Sequence, residues 1–330
     1  MRILSASDVR RAVSMSAAID AVAIAFAHLS AGAATVPLRT HIGLPQHAAI
    51  SFFMPAQLGG DHAALGLKVV SVFPQNATRH HLPAIHALVV LIDPATGCPL
   101  AALDGTYLTA LRTGAATGVA TRLMARPNAH VLTLFGAGVQ AHTQALAVCA
   151  VRSIERIWIV NRTRTRAEAL VQLLQADGVQ AELLIAPDPA TALAETDVIC
   201  CATTSPTPVF ADEHVRLGTH INGIGSFTPT MAEVPPQTVA RARIVVDQRL
   251  AAWAEAGDLV QARAAGFIHE ETIVGELGHV VAGTIAGRTS DTELTFFKSV
   301  GNAIQDLAVA QVALTRATEA GLGVEVSLAL

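Results

Sequence analysis

The residues with the most evident chemistry lie in VLTLFGAGVQAHTQALAV, Val131–Val148. The apolar run Val131–Phe135 reads as a strand. It leads straight into Gly136-Ala137-Gly138, and a helix begins at Val139. Gly136 permits a tight turn, and Gly138 lets a pyrophosphate approach the main chain. The helix start around Val139 and Gln140 offers free N–H groups and a positive dipole end to phosphates. Ala141 takes the third glycine position and is still small enough for helix–strand packing. GxG alone is a weak signal; followed by a helix and a second strand, RIWIV, it predicts a dinucleotide site. That second strand ends at Asn161, where an acid would bond a ribose 2′-hydroxyl. Asn161 cannot repel a phosphate. Arg162, Arg164 and Arg166 follow, with Thr163 able to donate a hydrogen bond. The set suits a 2′-phosphate, so NADPH is expected to be preferred and NADH to be possible. The alternative is a solvated basic helix start.

The elements needed to carry this loop follow the same alternation. Strands are expected at 157–160, 198–202, 220–224 and 243–246, with a helix over 165–176. Strands alternating with helices predict βαβ units on a parallel sheet. Before residue 115 the pattern differs. Ile19, Val22, Phe26 and Leu29 form one helical face within 14–32, ended by Gly32. Residues 65–73 and 85–92 read as strands, Asp93–Pro99 as a turn, and 108–126 as a helix. A last helix, about 295–318, is expected to return to the first domain. The fold class is therefore α/β: a Rossmann-type doubly wound parallel sheet plus an α+β substrate and dimerisation domain. The expected domains are 1–115, completed by about 300–330, and 116–299.

Composition excludes other classes. The chain has 330 residues, 52% hydrophobic and 15% charged, with a net charge of −4. It has much to bury and no basic run, which argues against nucleic acid. No apolar stretch approaches the roughly 20 residues of a membrane span, and the N-terminus lacks an apolar signal core. Cys98, Cys149, Cys200 and Cys201 show no ligand spacing and read as reduced core residues of a cytoplasmic protein. No histidine–carboxylate pattern predicts a metal.

Several ordered blocks resemble the ornithine cyclodeaminase/mu-crystallin family: VPLRT (36–40), LGLKVVSVFPQN (65–76), DPATGCPLAALDGTYLTALRTGAATGVAT (93–121), FGAGVQA (135–141), INGIGSFTP (221–229) and FFKSVGNAIQDLA (296–308). The resemblance covers nearly the whole chain. It implies that Arg39, Lys68 and Arg112 hold a substrate carboxylate. It also implies a cofactor site drawing on Thr113, Ser226, Val300 and Gly301, and a homodimer joined through the N-terminal sheet. Physical chemistry agrees on the clamp, since three cations in apolar surroundings are costly until an anion arrives. The alternative is structural pairing with Asp104 or Asp93; Lys298 reads as structural.

Two departures bear on the substrate. Cyclodeaminases carry an acid in the loop after the INGIG strand, where this chain has Phe227, which can neither take a proton nor bind an ammonium tail. The GSFTP form resembles the branch that reduces Δ1-pyrroline-2-carboxylate and Δ1-piperideine-2-carboxylate to proline and pipecolate. At His86 cyclodeaminases carry threonine; a histidine near Lys68 would be a proton donor beside Lys68 or water, though a lone histidine in an apolar strand is more often structural. The implied activity is NAD(P)H-dependent reduction of a cyclic imino acid, within trans-3-hydroxy-L-proline breakdown. The rival readings are an alanine-type dehydrogenase, an ornithine cyclodeaminase and a crystallin-like NADPH-binding protein.

Overall fold

A computed structural model describes residues 1–328. The chain forms two compact units, one of Met1–Arg112 together with the segment from Asn302 onward, the other of Thr113–Gly301. The first unit opens with β1 (Arg2–Leu4), α1 (Ala6–Ala12), α2 (Met15–Ser30), β2 (Ala34–Thr35), β3 (Thr40–Leu44), β4 (Ala49–Leu58) and β5 (Ala64–Val72). After these come α3 (Asn76–Arg79), β6 (Ile85–Ile92), β7 (Pro99–Asp104) and α4 (Gly105–Met124), which runs on into the second unit. The second unit continues with β8 (Val131–Phe135), α5 (Val139–Val151), β9 (Arg156–Val160), α6 (Arg164–Ala176), β10 (Glu182–Ile185), α7 (Pro189–Leu193), β11 (Val198–Cys201) and β12 (His220–Gly223). It ends with α8 (Pro236–Arg241), β13 (Arg243–Val246), α9 (Arg249–Glu255), α10 (Gly257–Ala264), β14 (Ile273–Glu276), α11 (Leu277–Val281) and β15 (Thr295–Lys298). The chain returns to the first unit with α12 (Ala303–Glu319) and β16 (Val324–Glu325).

In the first unit the strand order is β16-β1-β7-β6-β5-β4-β2, with β3 also on β4. All pairs are antiparallel except β1 with β7. Because side chains alternate along a strand, the register separates two faces. One carries Met54, Ala56, Leu58, Ala64, Lys68, Val89, Leu91, Ala101 and Leu103, all buried, and α12 lies against β4, β5 and β6. Gly66 makes this approach possible: a Cβ there would stand 2.3 Å from the Val90 carbonyl oxygen and 2.7 Å from Leu307 Cδ2. The other face carries Ile42, His86, Leu88 and Leu100, all exposed.

The second unit holds an eight-stranded sheet, order β10-β9-β8-β11-β12-β15-β13-β14, with every pair parallel. Parallel strands covered on both faces bury nearly everything they carry. Leu132, Leu134, Ile157, Ile159, Val198 and Cys200 pack with α5 and α6 on one face; Ile199, Cys201, Ile221, Ile244, Val246 and Phe296 pack on the other. Residues 295–298 are not the start of the last helix. They form β15, hydrogen-bonded between β12 and β13, and the helix begins only at Ala303, where Asn302 Oδ1 accepts the Ile304 N–H at 3.2 Å. A four-residue apolar run is ambiguous between helix and strand; here the gap between two buried strands decided it. Among the described residues no single helix is long and apolar enough to cross a membrane.

Candidate active site

The glycine turn sits where the strand order reverses, with β9 on one side of β8 and β11 on the other, the place where open parallel sheets bind ligands. Gly136 has φ +105° and leaves no room for a side chain, because a Cβ would stand 2.5 Å from the Ala202 carbonyl oxygen. Gly138 is the N-cap of α5, and a Cβ there would meet nothing within 4 Å. The main chain before α5 is thus bare on the side a diphosphate would approach, and a dinucleotide fits the cradle. Ala141 is fully buried under the helix, and Val139 is exposed at its first turn. Gln140 keeps its Oε1 buried without a hydrogen-bond partner among the described residues.

A cleft of about 610 Å³ continues from this turn, lined by Gly136–Gly138, Asn161, Arg162, Arg166, Asp188 and the loop Ala202–Val209. The structure sorts the basic residues after β9. Arg162 and Arg166 line the cleft, whereas Arg164 pairs with Glu168 at 2.9 Å on the exposed side of α6. The Asn161 amide donates to the Thr163 carbonyl oxygen at 2.8 Å, so its role is to shape the turn. Thr163 is the N-cap of α6, and its hydroxyl makes no capping bond. Asp188 brings a carboxylate to the opposite wall, but it accepts from Thr191 N–H (2.8 Å) and Oγ1 (3.0 Å), and these bonds hold its pKa below the ordinary value.

Other cofactor candidates are placed differently. Thr113 is buried on α4 where α4 meets α5: a Cβ on the adjoining Gly114 would stand 2.6 Å from the Thr143 carbonyl oxygen. Ser226 is fully buried. Its hydroxyl donates to Met231 O (3.0 Å) and accepts from Asp258 N–H (3.2 Å), and its own N–H goes to Glu233. The N–H groups of Val300 and Gly301 both go to Asp247 Oδ2, at 2.9 and 2.7 Å. These three therefore shape loops and have no N–H left for a ligand. Phe227, next to Ser226 in the chain, is partly exposed.

The cation cluster of the first unit is assembled on the α12-facing side of β5. Lys68 and Asp306 are both sealed from solvent, with Nζ 2.7 Å from Oδ2. Arg112, on α4, donates from Nε to Asp306 Oδ1 at 3.0 Å and from Nη1 to Gln305 Oε1 at 2.5 Å. Arg39 lies over the Phe52 ring, 5.2 Å from its centroid, and Phe52 shares the Lys68 face by register. Burial, then the charge of Arg112, pushes the Lys68 ammonium down to about 8, against the pull of Asp306. Gln305 Nε2, beside Arg112, and Asn302 Nδ2, at the start of α12, are buried without an acceptor among the described residues. Lys68, Arg112 and the idle Gln305 amide meet one carboxylate, two cations to one anion, which suits a second carboxylate arriving as ligand.

Sequence reasoning missed Asp306 and named Asp104 or Asp93 as the alternative partner. Asp104 instead accepts the Tyr107 N–H at 2.8 Å at the start of α4, and Asp93 closes its own turn on Ala95 and Thr96. His86 is not beside Lys68. It pairs with Ser71, three residues along, and alternation puts its exposed ring on the opposite face. Lys298 is structural: fully buried, 3.1 Å from Asp258 and 3.1 Å from the Gly223 carbonyl oxygen.

The parallel sheet and its glycine turn define a Rossmann-type α/β protein, with a carboxylate-seeking cluster carried on a separate α+β unit. The chain belongs to the ornithine cyclodeaminase/mu-crystallin family, whose model matches residues 1–321. It is 40% identical over 324 residues to a Delta(1)-pyrroline-2-carboxylate reductase of Bacillus cereus, with 98% of each chain covered. Among solved structures it is similar to the Delta(1)-pyrroline-2-carboxylate reductase of Thermococcus litoralis in complex with NADH and L-proline, at 39% identity and TM-score 0.94, covering 99% of this chain and 100% of the other. An archaeal alanine dehydrogenase dimer with bound NAD follows at 35% identity and TM-score 0.91, with 99% of both chains covered.

Proposed function

We propose that this chain is an NAD(P)H-dependent reductase of cyclic imino acids, converting Δ1-pyrroline-2-carboxylate to L-proline and accepting Δ1-piperideine-2-carboxylate as the larger ring, to give L-pipecolate. The observation that carries the reading is the pair of buried cations Lys68 and Arg112 on the carboxylate of Asp306, with Arg39 nearby over Phe52. Arg112 and Lys68 bind the substrate carboxylate, and Arg39 closes on it from beside Phe52. When bound, the reduced nicotinamide supplies the hydride that C2 of the imine accepts. The imine nitrogen must gain a proton, and Lys68, with its pKa near 8, is the buried donor on this face. Phe227 stands where cyclodeaminases place an acid, which disfavours ornithine as a substrate. The relatives' names support the substrate, and one of them is a complex with L-proline.

Arg162 and Arg166 on the cleft wall favour NADPH over NADH, with NADH still bound. A homodimer joined through the exposed sheet face that carries Ile42, Leu88 and Leu100 accounts for that face, and one relative is described as a dimer. Four free cysteines, two of them buried in β11, suit a reducing cytoplasmic compartment. The physiological role is the breakdown of trans-3-hydroxy-L-proline, whose dehydration yields the pyrroline; a deletion strain that still grows on that carbon source would contradict it. The enzymatic test is oxidation of NADPH and NADH with the imino acid and with pyruvate plus ammonia, and, in parallel, ammonia release from ornithine with catalytic NAD⁺. Fast turnover with the imino acid alone is expected. Turnover only with pyruvate and ammonia would make the chain an alanine-type dehydrogenase, and binding without turnover a crystallin-like protein.

A further inference from the structure

Glu233 has no part in the site as described, yet it is fully buried and its carboxylate accepts three main-chain N–H groups. Oε1 accepts from Thr203 at 2.6 Å; Oε2 accepts from Gly225 at 2.7 Å and Ser226 at 3.0 Å. The main chain adds to the tie: Val209 N–H donates to the Glu233 carbonyl oxygen and Ala232 N–H to that of Ser205, both at 2.9 Å. Residues 203–209 form one wall of the dinucleotide cleft. The second loop presses against that wall, since a Cβ on Gly225 would lie 2.0 Å from the Thr203 carbonyl oxygen. One side chain therefore fastens the cleft wall after β11 to the turn after β12.

The titratable groups around it come from three elements. Asp258 of α10 accepts the N–H groups of Glu233 (2.6 Å) and Val234 (3.0 Å). Lys298 of β15 reaches Asp258 Oδ2 at 3.1 Å. Cys201 of β11 is held as a neutral thiol by burial. Two acids thus share one lysine out of reach of water. Burial, then Asp258, pushes the Glu233 carboxyl up to about 7.

We propose that Glu233 is a positioning residue for the dinucleotide: its ionised carboxylate sets the cleft wall, and dinucleotide affinity follows its charge. The inference rests on the dinucleotide-binding part of the proposed function, not on the identity of the imino acid. Ionised, the carboxylate accepts all three N–H groups. Protonated, one oxygen carries a hydrogen and accepts less well, and the wall loosens. Since the bound state prefers the ionised form, binding near neutral pH must release a proton.

The test is the Kd of the full-length protein for NADH, whose pyrophosphate does not titrate in this range, at pH about 6 and about 8. The wild type is expected to bind roughly fivefold more tightly at the higher pH. Glu233→Gln, whose amide turns a donor toward a main-chain N–H, is expected to bind roughly tenfold more weakly at pH about 8 and to lose the pH dependence. Glu233→Asp should recover part of both. An unchanged Kd in Glu233→Gln, or a pH dependence that survives it, overturns the inference. Should the variant fail to fold, calorimetry of the wild type in two buffers of different ionisation enthalpy decides: proton release on NADH binding supports the role, and none overturns it. A wild type that binds NADH at neither pH overturns the dinucleotide reading itself and this inference with it.

Discussion

Lys68 and Lys298 are each buried beyond the reach of solvent, and each meets an aspartate that is equally sealed, at 2.7 and 3.1 Å. The surroundings of the two pairs differ in sign. Beside Lys68 stands Arg112, so two cations share one aspartate, and the Gln305 amide is buried without an acceptor among the described residues. Around Lys298 stands a second acid, Glu233, and the excess is negative, but main-chain N–H groups at Thr203, Gly225, Ser226, Val234 and Glu233 itself absorb it. A buried ion pair says little about function, because its desolvation cost and its attraction nearly cancel. The charge left over, and whether the protein satisfies it internally, separates a ligand site from a structural one. The cluster at Lys298 satisfies its charge from within; the cluster at Lys68 does not.

The comparison can be broken most forcefully at Asp306. Asp306→Asn leaves Lys68 and Arg112 facing each other without a counter-ion. It should cost about 3–5 kcal/mol in urea-induced unfolding at neutral pH, the usual result of removing one partner of a buried pair. A cost near zero would mean that the cluster is hydrated. Arg112→Ala should raise KM for the imino acid roughly a hundredfold while leaving the Kd for NADH unchanged, as expected for the loss of a charged hydrogen-bond pair to a carboxylate. A matching loss in cofactor binding would place Arg112 in a structural role.

The pH profile sharpens the same contrast. Lys68 must be protonated to act as donor, and its pKa is depressed to about 8, so kcat should fall as pH rises through that region. Asp306 pulls the Lys68 pKa upward, so Asp306→Asn should move the limb to lower pH. In the second unit, replacing Arg162 and Arg166 with Ala should weaken NADPH roughly fivefold and leave NADH unaffected, a modest effect because both guanidinium groups are exposed. The smallest effect belongs to His86→Ala, which should leave kcat and KM within about twofold, given its place on the far face of the sheet.

How far the sequence carried these points depended on whether a feature is local. Gly136-Ala137-Gly138 was legible because strand, turn and helix are consecutive and each glycine has its own steric reason. Arg39, Lys68 and Arg112 were legible as cations in apolar surroundings, together with the family resemblance. Asp306 was not, because an acid in a helical segment reads as part of a solvated face. Ile304, Leu307 and Ala308 around it, all buried, were the available signal that this helix has no such face near its start. Glu233 and Asp258 were illegible for a different reason: their partners are main-chain N–H groups of other loops, which leave no mark on side-chain pattern. His86 failed on register. Whether it shares a face with Lys68 depends on the pairing of β5 with β6, and a shift of one residue would reverse the answer. The strand Thr295–Lys298 failed on length, too short to be told from the helix that follows it.

The most direct test of the unbalanced cluster is to remove the ligand's charge and keep its ring. Reduction of Δ1-pyrroline-2-carboxylate should be compared with that of Δ1-pyrroline, which lacks the carboxylate, in the wild type and in Arg112→Ala. The wild type should favour the carboxylate roughly a hundredfold in kcat/KM, about 3 kcal/mol, and Arg112→Ala should shrink that preference toward unity. Equal reduction of both rings by the wild type would contradict the account, because the positive excess around Lys68 would then have no anion to bind.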